Sequence, residues 1–397
     1  MSKPHLRVFE QHTTPAVISQ NNFKFKSLSN WGYNISYGCV HGCSFCYVPE
    51  VTAIKAEKRL EKSGLIPEKW VEEREQDSHW GEFHWGDYCL LRTWDEDAFR
   101  KSLKAAERAK KVAPDSNRAI MLCTATDPYQ TLTVPGDPQK TKLLNDRCEG
   151  LVTKALEIIL KDSTLNVRIL TRSPLAKRDF PLFKKFGDRL VFGMSIPTLD
   201  DKLSQIYEPG APGPTVKLKA LQEAVAAGLH VYVALAPTLP DDGEEGLRKT
   251  MKAVADLKPI TIFHEPINIR AENVARIEAK AKEVGRPIRS EVFASRERWR
   301  EYAFDQFALS EEIARDLKIP EGVLHQWPDE VLESKGGYLK MRRMQMERDF
   351  CVTSLTAAQK TQCEEDWKEQ QEPWVKYWHS PEERISSWPG IRMPKWK

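Results

Sequence analysis

From about residue 96 onward, short unbroken apolar runs alternate with longer stretches in which apolar positions recur every three to four residues. The first pattern predicts buried strands and the second amphipathic helices. Strands are predicted over 119–124, 166–171, 190–196, 230–235 and 260–263. Helices are predicted between them over 97–111, 141–160, 178–186, 215–227 and 243–257, with Gly228 as a natural C-terminal cap. Upstream, 32–37 predicts one more strand, and 51–62, rich in Ala, Glu and Lys, a helix. Six strands, each followed by a helix or loop, predict a parallel sheet with crossovers. The fold class expected is α/β, as a partial (β/α)6 barrel. Barrels of this kind carry their chemistry on loops at the C-terminal ends of the strands.

The flanks read differently. Residues 1–30 are polar and irregular, an approach segment rather than a domain. The barrel is expected over 31–270, interrupted over about 63–95 by a stretch holding Trp70, Trp80, Trp85 and Trp94. That stretch is either a packed surface excursion or a lid or partner-binding flap. After 270, helices are predicted over 272–284 and 297–316. The tail that follows is helical in parts and carries Trp367, Trp374, Trp378, Trp388 and Trp396. This mostly helical extension over 271–397 is expected to close the open side of the barrel. Its basic cluster at Lys340, Arg342 and Arg343 is followed by Glu364, Glu365, Asp366, Glu369 and Glu372, which interrupt any long phosphate track.

Composition narrows the setting. The chain has 397 residues, 41% hydrophobic and 29% charged, with a formal net charge of +3. That balance describes a soluble globular chain and gives no strong reason for nucleic acid. The longest apolar run, around 229–237, is too short to cross a bilayer, and the N-terminus has no apolar signal core. A cytoplasmic location without membrane contact is expected. Eight cysteines in a chain this long fit a reducing compartment.

Three of those cysteines stand together in Asn34-Ile-Ser-Tyr-Gly-Cys-Val-His-Gly-Cys-Ser-Phe-Cys-Tyr47. Cys39, Cys43 and Cys46 have the spacing C-x₃-C-x₂-C, directly after the first predicted strand. Three thiolates on one loop can hold three irons of a 4Fe–4S cubane and leave the fourth open to a small molecule. A zinc site would need a fourth ligand at finger spacing, which the loop lacks. His41 lies between two ligands, where it can hydrogen-bond a cluster sulfur. Cys89, Cys123, Cys148, Cys351 and Cys363 have no cluster spacing among them.

The other strand ends are polar and distinctive. They read T-D-P-Y-Q over 126–130, T-R-S-P-L-A-K-R-D over 171–179, Y-E-P-G-A-P over 207–212, A-P-T-L-P over 236–240 and H-E-P-I-N over 264–268. The first four of these, as T-D-P-Y-Q, T-x-S-x-L-x-x-R-D, E-P-x-A-P and A-P-x-x-P, stand in this order after the cysteine motif, and together they resemble the spore photoproduct lyase-like branch of the radical S-adenosylmethionine (SAM) superfamily, often described as DNA repair photolyase-like. The resemblance covers about residues 30–270.

The resemblance implies that SAM chelates the open iron and that one electron cleaves it to methionine and a 5′-deoxyadenosyl radical. It implies that Arg172, where the family often has lysine, and Ser195 hold the SAM carboxylate. Phe45 and the backbone around Tyr47 face the adenine. Asp127 either holds a ribose hydroxyl or orders its loop; Glu208, Glu265 and Asn268 line the site or cap loops. Cys123 matches a cysteine that donates hydrogen to the product radical, and reads equally as a small buried hydrophobe. An external flavodoxin- or ferredoxin-type donor supplies the electron. The near-neutral charge and aromatic tail favour a peptide or protein substrate, with or without a small partner protein, as for radical maturases of ribosomal peptides. Nucleic-acid repair and a small metabolite are the alternatives.

Overall fold

The computed structural model describes residues 8–21, 29–50, 67–76, 84–109, 118–270, 272–320 and 323–326. The expected helix over 51–62, Trp80 and the tail with its tryptophans, basic cluster and two last cysteines lie outside the described residues.

The strands are β1 (Val8–Pro15), β2 (Ile18–Gln20), β3 (Trp31–Tyr33), β4 (Ser36–Tyr37), β5 (Tyr88–Thr93), β6 (Ala119–Leu122), β7 (Asn166–Thr171), β8 (Leu190–Ser195), β9 (Val231–Thr238), β10 (Thr261–Pro266) and β11 (Leu324–Gln326). The helices are α1 (Glu68–Gln76), α2 (Glu96–Arg108), α3 (Pro138–Asp162), α4 (Phe180–Lys185), α5 (Asp201–Tyr207), α6 (Pro214–Ala226), α7 (Gly243–Ala255), α8 (Asn273–Val284) and α9 (Arg296–Asp316).

The main sheet runs β11-β10-β9-β8-β7-β6-β3-β2. From β3 to β11 every pairing is parallel, and β2 closes one edge antiparallel to β3. The six expected parallel strands are therefore present as β3 and β6 to β10. β11 adds a seventh, in the extension expected to be mostly helical; three residues are too short to leave a periodic signal.

Side-chain alternation along the strands builds two layers. Leu190, Phe192 and Met194 of β8 join Val167 and Ile169 of β7 in the large core beneath the helices. Val191 points the other way, into an inner cluster with Met121, Tyr232, Ile260 and Phe263. The helices are fixed by local chemistry. Asp95 caps α2 by accepting from Ala98 N at 2.9 Å, and Phe99, Leu103 and Ala106 form its buried stripe. Asp137 caps α3 in the same way at 2.8 Å, with Pro138 opening the helix. Gly285, with φ +70°, terminates α8. Among the described residues, no helix is long and apolar enough to cross a membrane.

Three expectations need correction. Residues 8–20 are not irregular: β1 pairs parallel with β5, and β2 joins the main sheet. Among the described side chains there, Phe9, Ala16 and Ile18 are the buried apolar ones, and they leave no regular period in the sequence. The strand expected over 32–37 is two: β3 belongs to the main sheet, while β4 pairs antiparallel with β5 in a second sheet, β1-β5-β4. The single helix expected over 178–186 is a 3₁₀ turn, Pro174–Asp179, followed by the short α4.

Candidate functional site

The cysteine loop leaves β4 at Gly38. Its φ is +85°, and a Cβ there would lie 2.2 Å from the Tyr88 carbonyl of β5, so only glycine fits. The Gly38 carbonyl accepts from Thr126 Oγ1 at 2.8 Å and Ser36 Oγ at 3.2 Å. Gln130 donates to Ser36 Oγ and Thr126 Oγ1 and accepts from Val40 N at 2.9 Å. The T-D-P-Y-Q motif thus grips the start of the cysteine loop from the end of β6.

Asp127 is the centre of that grip and is buried. Its Oδ1 accepts from Tyr129 N at 2.8 Å and Thr171 Oγ1 at 2.7 Å. Oδ2 accepts from Arg172 N at 2.8 Å and lies 3.4 Å from His41 Nδ1. Burial alone would push this carboxyl up, but the neighbouring His41 and the donated hydrogen bonds hold it below the usual carboxylate range. These contacts tie Asp127 to the end of β7 and set it against the cysteine loop. The His41 imidazole faces Asp127; it is the His41 backbone N–H that meets the Cys39 sulfur.

The Y-E-P-G-A-P segment after α5 cradles the other half of the loop. Ser44 donates from N to Tyr207 O at 3.0 Å and from Oγ to Ile206 O at 2.8 Å. Gly210 N donates to His41 O at 2.9 Å. Arg276 of α8 donates from Nε to Ser44 O at 3.1 Å and from Nη2 to Cys46 O at 2.6 Å. Arg172 donates from Nε to Glu208 Oε1, and the other Glu208 oxygen accepts from Lys217 Nζ. The Arg172 guanidinium carbon sits 5.6 Å from the centre of the Phe45 ring.

Cys39 and Cys43 are buried and Cys46 half-buried. Burial pushes all three thiols up, Cys39 to about 12. Neutral thiols are cheap to bury, and a metal must displace their protons. The Val48 N–H and the Trp85 side chain meet the Cys46 sulfur, and the Arg172 charge acts on both Cys43 and Cys46. Among the described residues no three His, Cys, Asp or Glu side chains converge on a single ion. A cubane, which gives each cysteine its own iron, needs no such convergence.

Ser195, at the end of β8, is 1% exposed, and its Oγ has no hydrogen-bond partner among the described residues. A buried hydroxyl in that state is costly unless a ligand meets it. It lies one strand from Arg172, whose Nε is taken but whose terminal nitrogens extend further. A cation, an orphaned hydroxyl and three cysteines fit an iron–sulfur cluster with a carboxylate-bearing small molecule.

The remaining predicted residues fall in two places. Glu265, at the end of β10, accepts from Asn268 Nδ2 at 3.3 Å; Arg270 Nε reaches Asn268 Oδ1 at 3.2 Å and its guanidinium sits 5.8 Å from the Tyr47 ring. These four form a polar rim, and Tyr47 is 39% exposed. Cys123 is buried in the main core with Tyr33 and Cys148, within electrostatic reach of Cys39 and Asp127.

The tryptophan-rich stretch covers the loop. Trp70, Trp85, Tyr88 and Leu90 pack directly with Cys39 and Val48, and Trp70 stacks on His84 at 4.1 Å. These residues form a packed wall behind the cysteines, whereas Trp94 packs on Phe99 of α2 in the main core. The packing of Trp70 and Trp85 agrees with the packed excursion, one of the two expectations for this stretch. Sequence reasoning missed the loop contacts of Gln130 and Arg276 and the bond from Lys217 to Glu208. Gln130 and Glu208 stood inside quoted motifs; Arg276 carries no local signal.

The family model described as "Radical SAM superfamily" matches residues 33–254. An uncharacterised protein of Acidianus two-tailed virus is 29% identical over 260 residues, 64% of this chain and 73% of that protein. An uncharacterised Mycobacterium tuberculosis protein is 31% identical over 152 residues, 36% of this chain and 40% of its own length. Among solved structures, spore photoproduct lyase complexed with dinucleoside spore photoproduct matches with a TM-score of 0.51 and 13% identity over 78% of each chain. A mutant of that lyase with bound AdoMet and the dinucleoside matches with a TM-score of 0.51, over 80% of this chain and 81% of the other. At 13% identity these structural likenesses speak for the fold.

Proposed function

The chain belongs to the radical SAM superfamily, and on that premise we propose that it abstracts a hydrogen atom from its substrate, leading to radical bond cleavage or rearrangement. The cofactors are a 4Fe–4S cluster and SAM, and the enzyme needs an external one-electron donor. When bound, the pair supplies a one-electron cleavage of SAM to methionine and a 5′-deoxyadenosyl radical that takes hydrogen from the substrate. Cys39, Cys43 and Cys46 each ligate one iron. Arg172 and Ser195 bind the SAM carboxylate, and Phe45 with the backbone near Tyr47 borders the adenine. Asp127 keeps the Arg172 backbone and the cysteine loop in register. Glu265 orders the rim through Asn268. Cys123 is the proposed hydrogen donor to the product radical. A cytoplasmic location suits an oxygen-sensitive cluster.

The observations that most support this reading are the Arg172 cation within electrostatic reach of Cys43 and Cys46, and the unpartnered Ser195 hydroxyl at the end of β8, the strand next to the one that Arg172 follows. For the substrate, the net charge of +3 supports a peptide or protein. The likeness to lyase structures holding dinucleoside spore photoproduct supports a nucleic-acid lesion as the second reading. The test is anaerobic reconstitution, reduction with dithionite and addition of SAM, followed by measurement of 5′-deoxyadenosine and methionine. Both are expected from the wild type. A cluster-loaded, SAM-binding protein that yields neither would overturn the reading. Deoxyadenosine formation stimulated by dinucleoside spore photoproduct would select nucleic acid over peptide.

A further inference from the structure

Arg172 belongs to a set of three charges, two of them fully buried. Its Nε edge is held by Glu208, and Glu208 is held in turn by Lys217. The Glu208 and Lys217 side chains are both fully buried, whereas that of Arg172 is 21% exposed. The three come from separate elements: the end of β7, the loop after α5 and the first turn of α6. Burial would push the Glu208 carboxyl up, but Lys217 and Arg172 hold it below its usual range, so Glu208 is ionised.

The count of charges is the informative part. An arginine paired with a glutamate is neutral toward anything beyond the pair. Lys217 restores one positive charge to the set. Excess charge in a buried group is costly unless an opposite charge meets it. Lys217 presents no exposed atoms, so the excess is available at the free end of Arg172, beside Cys43, Cys46 and the Phe45 ring.

We infer that Lys217 and Glu208 are positioning residues for the cofactor carboxylate: Glu208 fixes the guanidinium by one edge, and Lys217 returns the charge that Glu208 cancels. The inference rests on the assignment of Arg172 to the SAM carboxylate. It also gives arginine a reason to stand there. An ammonium has no rigid plane that can be held along one edge while presenting a fork of donors along another.

The test uses the full-length, cluster-reconstituted protein, with iron and sulfide measured first. Dissociation constants are determined for SAM and for decarboxylated SAM, and their ratio reads the carboxylate contact. Lys217→Met is expected to shrink that ratio about tenfold or more, while decarboxylated SAM changes less than about twofold. The double variant Glu208→Gln/Lys217→Met is expected to regain the preference, because Arg172 again carries an uncancelled charge. Equal weakening of both ligands by Lys217→Met, or no recovery in the double variant, makes Lys217 a packing residue and overturns the inference. An unchanged ratio in Arg172→Ala would instead remove the premise; a lost ratio there with a wild-type ratio in Lys217→Met defeats only the role of Lys217. Should Lys217→Met fail to fold, Glu208→Gln carries the test. It raises the uncancelled charge and is expected to widen the preference, and an unchanged or narrower ratio overturns the inference.

Discussion

Gly210→Ala is a one-carbon perturbation aimed at the cysteine loop from outside it. A Cβ at Gly210 would lie 2.2 Å from Val40 O and 2.9 Å from His41 O. Both obstacles are backbone, which cannot rotate aside as a side chain can. Forcing extra carbon into such a contact costs roughly 1–3 kcal/mol. Separating the segments also endangers the Gly210 N to His41 O hydrogen bond, worth about 0.5–1.5 kcal/mol. The combined cost of about 1.5–4.5 kcal/mol shifts the loop from its native position by about one to three powers of ten. The expected result is protein that folds, with a lower melting temperature and much less iron and sulfide per chain after anaerobic reconstitution. Gly150→Ala is the control. Gly150 lies within α3 with nothing within 4 Å of its Cβ position, so alanine there should be neutral or stabilising by up to about 1 kcal/mol. A Gly210→Ala protein with the wild-type iron content and melting temperature would refute the view that the Y-E-P-G-A-P segment shapes the loop.

The triple alanine variant of Cys39, Cys43 and Cys46 is expected to bind no cluster on reconstitution; a full iron and sulfide content would move the site elsewhere. Cys123→Ala is expected to hold its cluster and cleave SAM as the wild type does. A changed product profile would then identify Cys123 as the hydrogen donor, and an unchanged one would leave it as core packing. Asp242, hydrogen-bonded by Thr198 at 2.8 Å, has its carboxyl raised by burial from 3.8 to about 6. A raised value means that its contribution to stability is present below the ordinary value and lost as pH rises through about 6. Asp242→Asn should therefore gain in melting temperature over the wild type as pH crosses about 6, and a gap independent of pH would contradict this.

The parallel core was legible because its strands are short apolar runs and its helices have a strong period. The strand-end motifs pointed to Asp127, Arg172 and Glu208, and the end of the expected strand over 190–196 pointed to Ser195. What they hold was not legible. Asp127 reaches Thr171 and Arg172 across 44 and 45 positions, and no periodicity records such a contact. β5 was hidden because its buried Tyr88-Cys89-Leu90-Leu91 run directly follows a cluster of tryptophans and acids and is not set off by an amphipathic helix before it. Arg276 was hidden for another reason. On a helix that also carries Lys280 and Lys282 it reads as one more surface cation, and its 9% exposure exists only after folding.

The clamp on the cysteine loop also sets an order of events during synthesis. Ser44 is tied to Ile206, 162 positions later, and Arg276 reaches back 232 and 230 positions to Ser44 and Cys46. At about 5–20 residues per second, the cysteines leave the ribosome roughly 10–50 s before Arg276 does. Throughout that interval they belong to a loop without its cradle. Iron delivered to the nascent chain would meet three unheld thiols, free to take other metals or to oxidise. The cradle is complete only once Arg276 has followed the cysteines out, so loop order comes late in synthesis although the loop itself comes early.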